Sequence, residues 1–143
     1  VVSCFTPLIQ VIYGIPLAVI FPHAQFTLCD SIGKKITVVK GVCEAAGVKN
    51  LNAINDRVEN VPEKFDFVVS RAVTDMATFV GWIWKKIERG EGHGTLPNGV
   101  LYLKGGDLDA ELAQTKMAWS RYNISDYFEE EFFETKKVVY TAK

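Results

Sequence analysis

Residues 65–70 read Phe-Asp-Phe-Val-Val-Ser, an almost unbroken run of aromatic and β-branched residues. A strand with one wet face alternates apolar with polar residues. This run does not alternate, so it belongs in a sheet covered on both faces. Such sheets are mostly parallel, with helices as the cover, and the flanking segments agree. Residues 25–29 and 51–55 read as strands, and residues 34–46 between them as a helix. In that helix Ile36, Val39, Val42 and Cys43 recur every three or four positions, and Gly47 follows as its stop. Residues 75–89 read as a second helix with Met76, Phe79, Val80, Ile83, Trp84 and Ile87 inward. A glycine-rich loop over 90–94 leads through Pro97-Asn98-Gly99 into a strand over 100–103, and a short helix over 108–117 follows. Residues 122–128 and 137–141 read as a terminal antiparallel pair around Glu129-Glu130-Glu131. Strands alternating with helices imply right-handed crossovers, hence an α/β domain with a mostly parallel sheet.

The chain has 143 residues, enough for one domain with its own core. Its net charge is −1, so no overall basic field draws it toward nucleic acid, and any RNA contact has to use a local patch. The apolar stretch 11–21 is interrupted by Gly14 and Pro16 and is too short to span a bilayer. Cys4, Cys29 and Cys43 are odd in number and lack metal-ligand spacing. Cys29 and Cys43 are expected as small buried thiols, in a reduced, cytoplasmic protein. His23 and His93 form no metal constellation with them and are expected at the surface. Lys34, Lys35, Lys40 and Lys49 are expected on a solvated helix face, and Phe79, Trp82 and Trp84 in packing roles. There is no Walker loop and no nucleophile elbow.

In an open parallel sheet, ligands bind beyond the carboxyl ends of the strands. Four polar segments fall there. Asp30 can accept hydrogen bonds from a ribose diol, or it can cap the next helix. In Asp56-Arg57-Val58-Glu59 a backbone N–H can read an adenine edge and Glu59 can bind a polar group, or the segment is a solvated turn. Arg71 can hold a carboxylate or lean on a base, or pair with a neighbouring acid such as Asp75. Lys104, followed by Gly105 and Gly106, can approach a phosphate, or the three form a plain turn.

These pieces occur in one order: Gly14-Ile-Pro-Leu-Ala, Leu28-Cys-Asp-Ser-Ile-Gly-Lys-Lys, Arg57-Val-Glu, Ser70-Arg-Ala and Leu103-Lys-Gly. The series resembles the glucose-inhibited division protein B family, the ribosomal small-subunit RNA methyltransferase G family. The ending Phe132-Phe-Glu-Thr-Lys-Lys-Val-Val-Tyr is similar to its Bacteroidetes branch. The resemblance runs from Gly14 to Lys143. It implies a Rossmann-like class I fold and an S-adenosylmethionine-dependent enzyme that methylates N7 of a guanine in the 530 loop of 16S rRNA. Its implied partner is 16S rRNA or the small ribosomal subunit, and no metal or membrane is implied. The chain is expected to be a monomer. Carried over by position, Gly14 belongs to the cofactor loop, Asp30 to the cofactor ribose, and Val58 and Glu59 to the adenine side. Arg71 is placed at the cofactor or target pocket and Lys104, without an assigned role, near the substrate.

The resemblance breaks at one place. The family's Asp-Val-Gly-x-Gly-x-Gly-Phe-Pro-Gly is matched here by residues 5–14, where only Gly14 survives. Pro7, Ile9 and Val11 replace glycines that let the backbone approach the cofactor. Pro7 is also expected to disturb a central first strand. The chain is therefore read as one methyltransferase domain over 1–143, with 1–13 atypical, the family's N-terminal helical region absent and Val1 not the natural start. Two alternatives stay open: an inactive remnant of the fold acting as a binding module, and a nicotinamide-dependent oxidoreductase.

Overall fold

The computed structural model describes residues 2–5, 11–71, 74–92 and 94–143, with 2–5 and 11–12 described by their backbone alone. Seven strands among these residues form one sheet. They are β1 (Val2–Phe5), β2 (Phe26–Cys29), β3 (Leu51–Ile54), β4 (Phe67–Arg71), β5 (Gly99–Gly105), β6 (Ser120–Asn123) and β7 (Lys136–Ala142). Their spatial order is β3-β2-β1-β4-β5-β7-β6. The first five are parallel; β7 enters antiparallel between β5 and β6. The helices are α1 (Val11–Ile20), α2 (Gly33–Ala46), α3 (Met76–Ile83) and α4 (Asp109–Gln114).

Both faces of the sheet are covered, as the apolar run over 65–70 requires. Ile36, Val39 and Cys43 of α2 pack with Leu28 and Ala53 of the sheet, and Ala18 of α1 packs with Phe26. On the other face Phe65, Val68, Phe79, Ile83, Tyr102 and Val139 form the main core. Phe79 and Tyr102 meet there with ring centroids 5.0 Å apart.

Local chemistry sets the helix ends. Asp75 caps α3, its Oδ1 accepting from the Thr78 N–H at 2.9 Å. That contact, with others around it, holds its carboxyl below the usual carboxylate range; the largest share comes from the Thr78 backbone N–H. Gly47 ends α2 at φ 67°, in the left-handed region that glycine enters without steric cost. Asn50 fastens the end of α1 to the start of β3. Its Nδ2 lies 2.9 Å from Ala18 O, 3.1 Å from Phe21 O and 2.9 Å from Ala24 O.

Several expectations are corrected. Residues 11–20 are helical despite Gly14 and Pro16. β1 sits at the centre of the sheet and ends at Phe5, two residues before Pro7, which with Ile9 lies outside the described residues. The helix expected over 75–89 ends at Ile83 and runs into one 3-10 turn, Trp84–Lys86. Ile87 is extended because it bridges Phe65, with Phe65 N donating to Lys86 O at 2.8 Å and Glu88 N to Phe65 O at 3.0 Å. The strand expected over 122–128 is Ser120–Asn123, and the chain then turns at Ile124–Asp126. Val42 is 43% exposed and Trp82 is 37% exposed, so neither is a core residue. Cys29 and Cys43 are free, buried thiols, as expected. Cys4 (side chain), Ala72 and His93 lie outside the described residues.

Candidate functional site

Chain order and spatial order together locate the site. β1, β2 and β3 step outward in one direction; the chain then returns to place β4 on the other flank of β1. The sheet therefore reverses between β1 and β4, and in open α/β sheets ligands bind beyond the carboxyl ends of the strands at such a point. Phe5 is in register with Cys29 on one side and Ser70 on the other. Asp30 and Arg71 each come one residue later. They flank the carboxyl end of β1, two strand spacings or roughly 10 Å apart.

Asp30 is buried. Its N–H donates to Ile54 O at 3.1 Å and its carbonyl accepts from Asn55 Nδ2 at 3.0 Å, which fixes its backbone against β3. Its Oδ1 accepts from the Ile32 N–H at 2.8 Å, and Oδ2 lies 3.3 Å from the Lys35 ammonium. The Ile32 bond closes a turn ahead of α2; the N-cap residue of that helix is Ile32 and no side chain caps it, so Asp30 does not cap the helix. A carboxylate offers about four acceptor directions, and these two partners occupy two of them.

The loop after β3 is anchored from below. Cys29 Sγ donates to Asp56 O at 3.0 Å, and burial pushes this thiol up from 9.0 to about 11. Asp56 accepts from Asn60 Nδ2 and Arg57 N–H, both at 2.7 Å, and these bonds hold its carboxyl below the usual range. Val58 is half-buried and packs against the main core. The next residue, Glu59, is exposed, while its carbonyl accepts from Lys86 Nζ at 3.0 Å. Val58 and Glu59 thus present one apolar and one acidic side chain on a single 3-10 turn beside Asp30's strand.

Arg71 does not pair with Asp75, which is occupied in capping α3. Its Nη1 donates to the Tyr13 hydroxyl, and its guanidinium stands 5.3 Å from the Tyr13 ring centroid. Sequence reasoning missed Tyr13. It stands directly before Gly14, and nothing local signals its partner. Gly14 itself is buried inside α1 rather than in a loop.

Lys104 forms an ion pair with Glu111 of α4, and its ammonium lies 5.8 Å from the Tyr102 ring centroid. Glu111 Oε1 also accepts the Met76 N–H at 2.8 Å, so it joins β5, α4 and the start of α3. Gly106 has φ 83°, the left-handed geometry of a strand-to-helix turn. A Cβ on Gly105 would stand 3.0 Å from Lys136 Nζ of β7; the close approach there is to the neighbouring strand. Asp30 follows β2, Arg71 ends β4 and Glu59 lies on the 3-10 turn after β3, while Lys104 is engaged with its own fold.

Among the described residues no cluster of three His, Cys, Asp or Glu could hold a metal, and no helix is long and apolar enough to cross a membrane.

Comparison with solved structures places the fold. A SAM-dependent methyltransferase from Aquifex aeolicus superposes with a TM-score of 0.69 at 8% identity, covering 98% of this chain and 80% of that one. An rRNA methylase from Streptococcus thermophilus gives 0.62 at 13% identity over 98% and 86%. The fold is that of a class I methyltransferase. By sequence, the ribosomal RNA small subunit methyltransferase G of Cytophaga hutchinsonii is 50% identical over 127 residues, which are 89% of this chain and 61% of that protein. The Flavobacterium psychrophilum protein of the same name is 55% identical over 89% and 60%. The chain spans about three fifths of the length of these relatives. The family model for rRNA small subunit methyltransferase G matches residues 12–139, and the chain belongs to this family, GidB.

Proposed function

We propose that this domain transfers a methyl group from S-adenosylmethionine to N7 of a guanine in the 530 loop of 16S rRNA, presented as RNA or within the small ribosomal subunit. The observation that carries the reading is the placement of Asp30 and Arg71 on either side of the carboxyl end of β1, at the switch point of the sheet. The residues fit the cofactor. Asp30 keeps acceptor capacity for a ribose diol, Val58 offers an apolar surface beside it for a purine, and Glu59 offers a carboxylate. Arg71 ends β4 where cofactor and target base would meet. The cofactor supplies an electrophilic methyl on a sulfonium. Guanine N7 has an available lone pair and no proton to lose, so the chain need not provide a general base. Its work is to hold N7 in line with the methyl carbon and keep water out, and such alignment is a large catalytic effect by itself. The Arg71 guanidinium, cushioned on Tyr13, is the group positioned to orient the base or the cofactor carboxylate. The setting implied for such an enzyme is the cytoplasm, acting as a monomer.

A second reading has its own observation. Asp30 is paired with Lys35, Arg71 with Tyr13, and the family's loop glycines are replaced. An inactive module of the same fold would look like this. Calorimetric titration with S-adenosylhomocysteine separates the two. Micromolar binding that Asp30→Asn abolishes supports the enzyme, and methyl transfer to small-subunit rRNA is then measured. A folded chain that binds no S-adenosylhomocysteine is the inactive module.

A further inference from the structure

A chain of net charge −1 that handles RNA needs a local basic surface. One is assembled at the amino edge of the parallel strands, away from the crevice. The Phe65–Ile87 bridge brings Lys64 beside the segment 85–89, and Lys143 N donates to Asn98 O at 2.8 Å, which brings Lys143 alongside. Lys64, Lys85, Arg89 and Lys143 thereby line an open groove of about 520 Å³ with Ile87 and one acidic side chain, that of Glu88.

Among the described residues no carboxylate forms an ion pair with any of the four. Lys143 is held in place: Nζ donates to Trp84 O at 2.8 Å and sits 4.3 Å from the Trp84 ring centroid. Burial first, then repulsion from Arg89 and Lys64, pulls its ammonium below the usual lysine range. An anion in the groove would relieve that repulsion. Lys64, Lys85 and Arg89 are exposed and can meet it from solvent.

We infer that this groove is a second contact for the phosphate backbone of the RNA substrate, remote from the methyl-transfer crevice. The inference rests on the rRNA reading. Seven-residue β5 separates the two edges by roughly 20 Å. An RNA that inserts its target base at one edge and lays its backbone at the other is oriented as well as bound. Four cations around an open groove with little exposed apolar surface suit a polyanion, whose binding is driven by counterion release.

The test is fluorescence anisotropy with a labelled rRNA fragment containing the 530 loop, titrated across salt concentrations. The unaltered chain is compared with Lys64→Gln/Arg89→Gln and with the charge-keeping Lys64→Arg/Arg89→Lys. The neutral pair should lower the salt slope by about 1.4 to 1.8, at 0.7 to 0.9 per phosphate contact. It should leave S-adenosylhomocysteine affinity unchanged, and the charge-keeping pair should keep the slope. An unchanged slope in the neutral pair overturns the groove and leaves the rRNA reading standing. An unaltered chain that binds S-adenosylhomocysteine but no RNA overturns the rRNA reading and the groove with it. If polyglutamate binding falls in the neutral pair while the RNA slope holds, the groove serves acidic protein and the inference is wrong.

Discussion

Lys35 Nζ stands 3.3 Å from Asp30 Oδ2, at the head of α2 and beside the crevice. The lysine side chain is 20% exposed and the aspartate side chain 2% exposed, so the ammonium covers the carboxylate from the solvent side. A ribose diol has to displace this cation or share the acid with it. Lys35→Met should strengthen S-adenosylhomocysteine binding about fivefold, equivalent to roughly 1 kcal/mol for a partly exposed pair. Asp30→Asn, which keeps an acceptor for the Ile32 N–H, should weaken binding at least tenfold. Calorimetry on both variants checks this. Equal affinities across the set would remove Asp30 from the binding surface.

Glu111 serves Lys104 and the Met76 N–H with one oxygen. Glu111→Gln keeps an acceptor but leaves Lys104 without its counter-charge, at a cost of about 1–2 kcal/mol in unfolding free energy. Lys104→Met/Glu111→Gln should lose less than the two single changes added, with a coupling of about 1 kcal/mol. Urea unfolding of all four chains measures this. Strict additivity would show that the pair contributes nothing as a pair.

Asn50 gathers three carbonyls at the end of α1, and no other described side chain donates to them. Asn50→Ala should cost about 1–3 kcal/mol, because the partly buried bonds to the Ala18 and Ala24 carbonyls are lost. Native-state hydrogen exchange should show the end of α1 opening before α2. Uniform loss of protection across both helices would argue that Asn50 acts on the whole sheet instead.

Cys29 gives a pH dependence whose sign is fixed. Its folded thiol titrates near 11 and its unfolded thiol near 9.0, so the folded state holds the proton more tightly. That contribution is whole below pH 9.0 and is lost as pH rises through about 11. Two units amount to roughly 3 kcal/mol. Thermal unfolding across this range should fall more steeply for the native chain than for Cys29→Ala. The same burial makes the thiol a poor nucleophile at neutral pH, so iodoacetamide should modify it only after unfolding.

Much of this arrangement is legible in residue order. The run at 65–70 announces a covered strand, and the spacing of Ile36, Val39 and Cys43 with Gly47 marks α2 nearly to the residue. Asp30 and Arg71 stand at strand ends because strand ends are local events. The rest depends on tertiary contact. Gly14 and Pro16 read as breakers, yet packing of Ala18 and Phe26 accompanies a helix there. Ile87 fits a helical period, but pairing with Phe65 pulls it extended. Arg71 finds Tyr13 from 58 positions away, and no spacing rule reaches that far.

The antiparallel entry of β7 between β5 and β6 has a consequence for biosynthesis. Until residues 136–142 have left the ribosome, β5 has no neighbour on that side and β6 has nothing to pair with. A nascent chain that has reached the acidic stretch at 129–131 therefore carries an open sheet edge, a template for pairing with other chains. Closing the sheet waits for its penultimate strand, so a chaperone that shields β5 during translation would act on the interval when this protein is most exposed to misassembly.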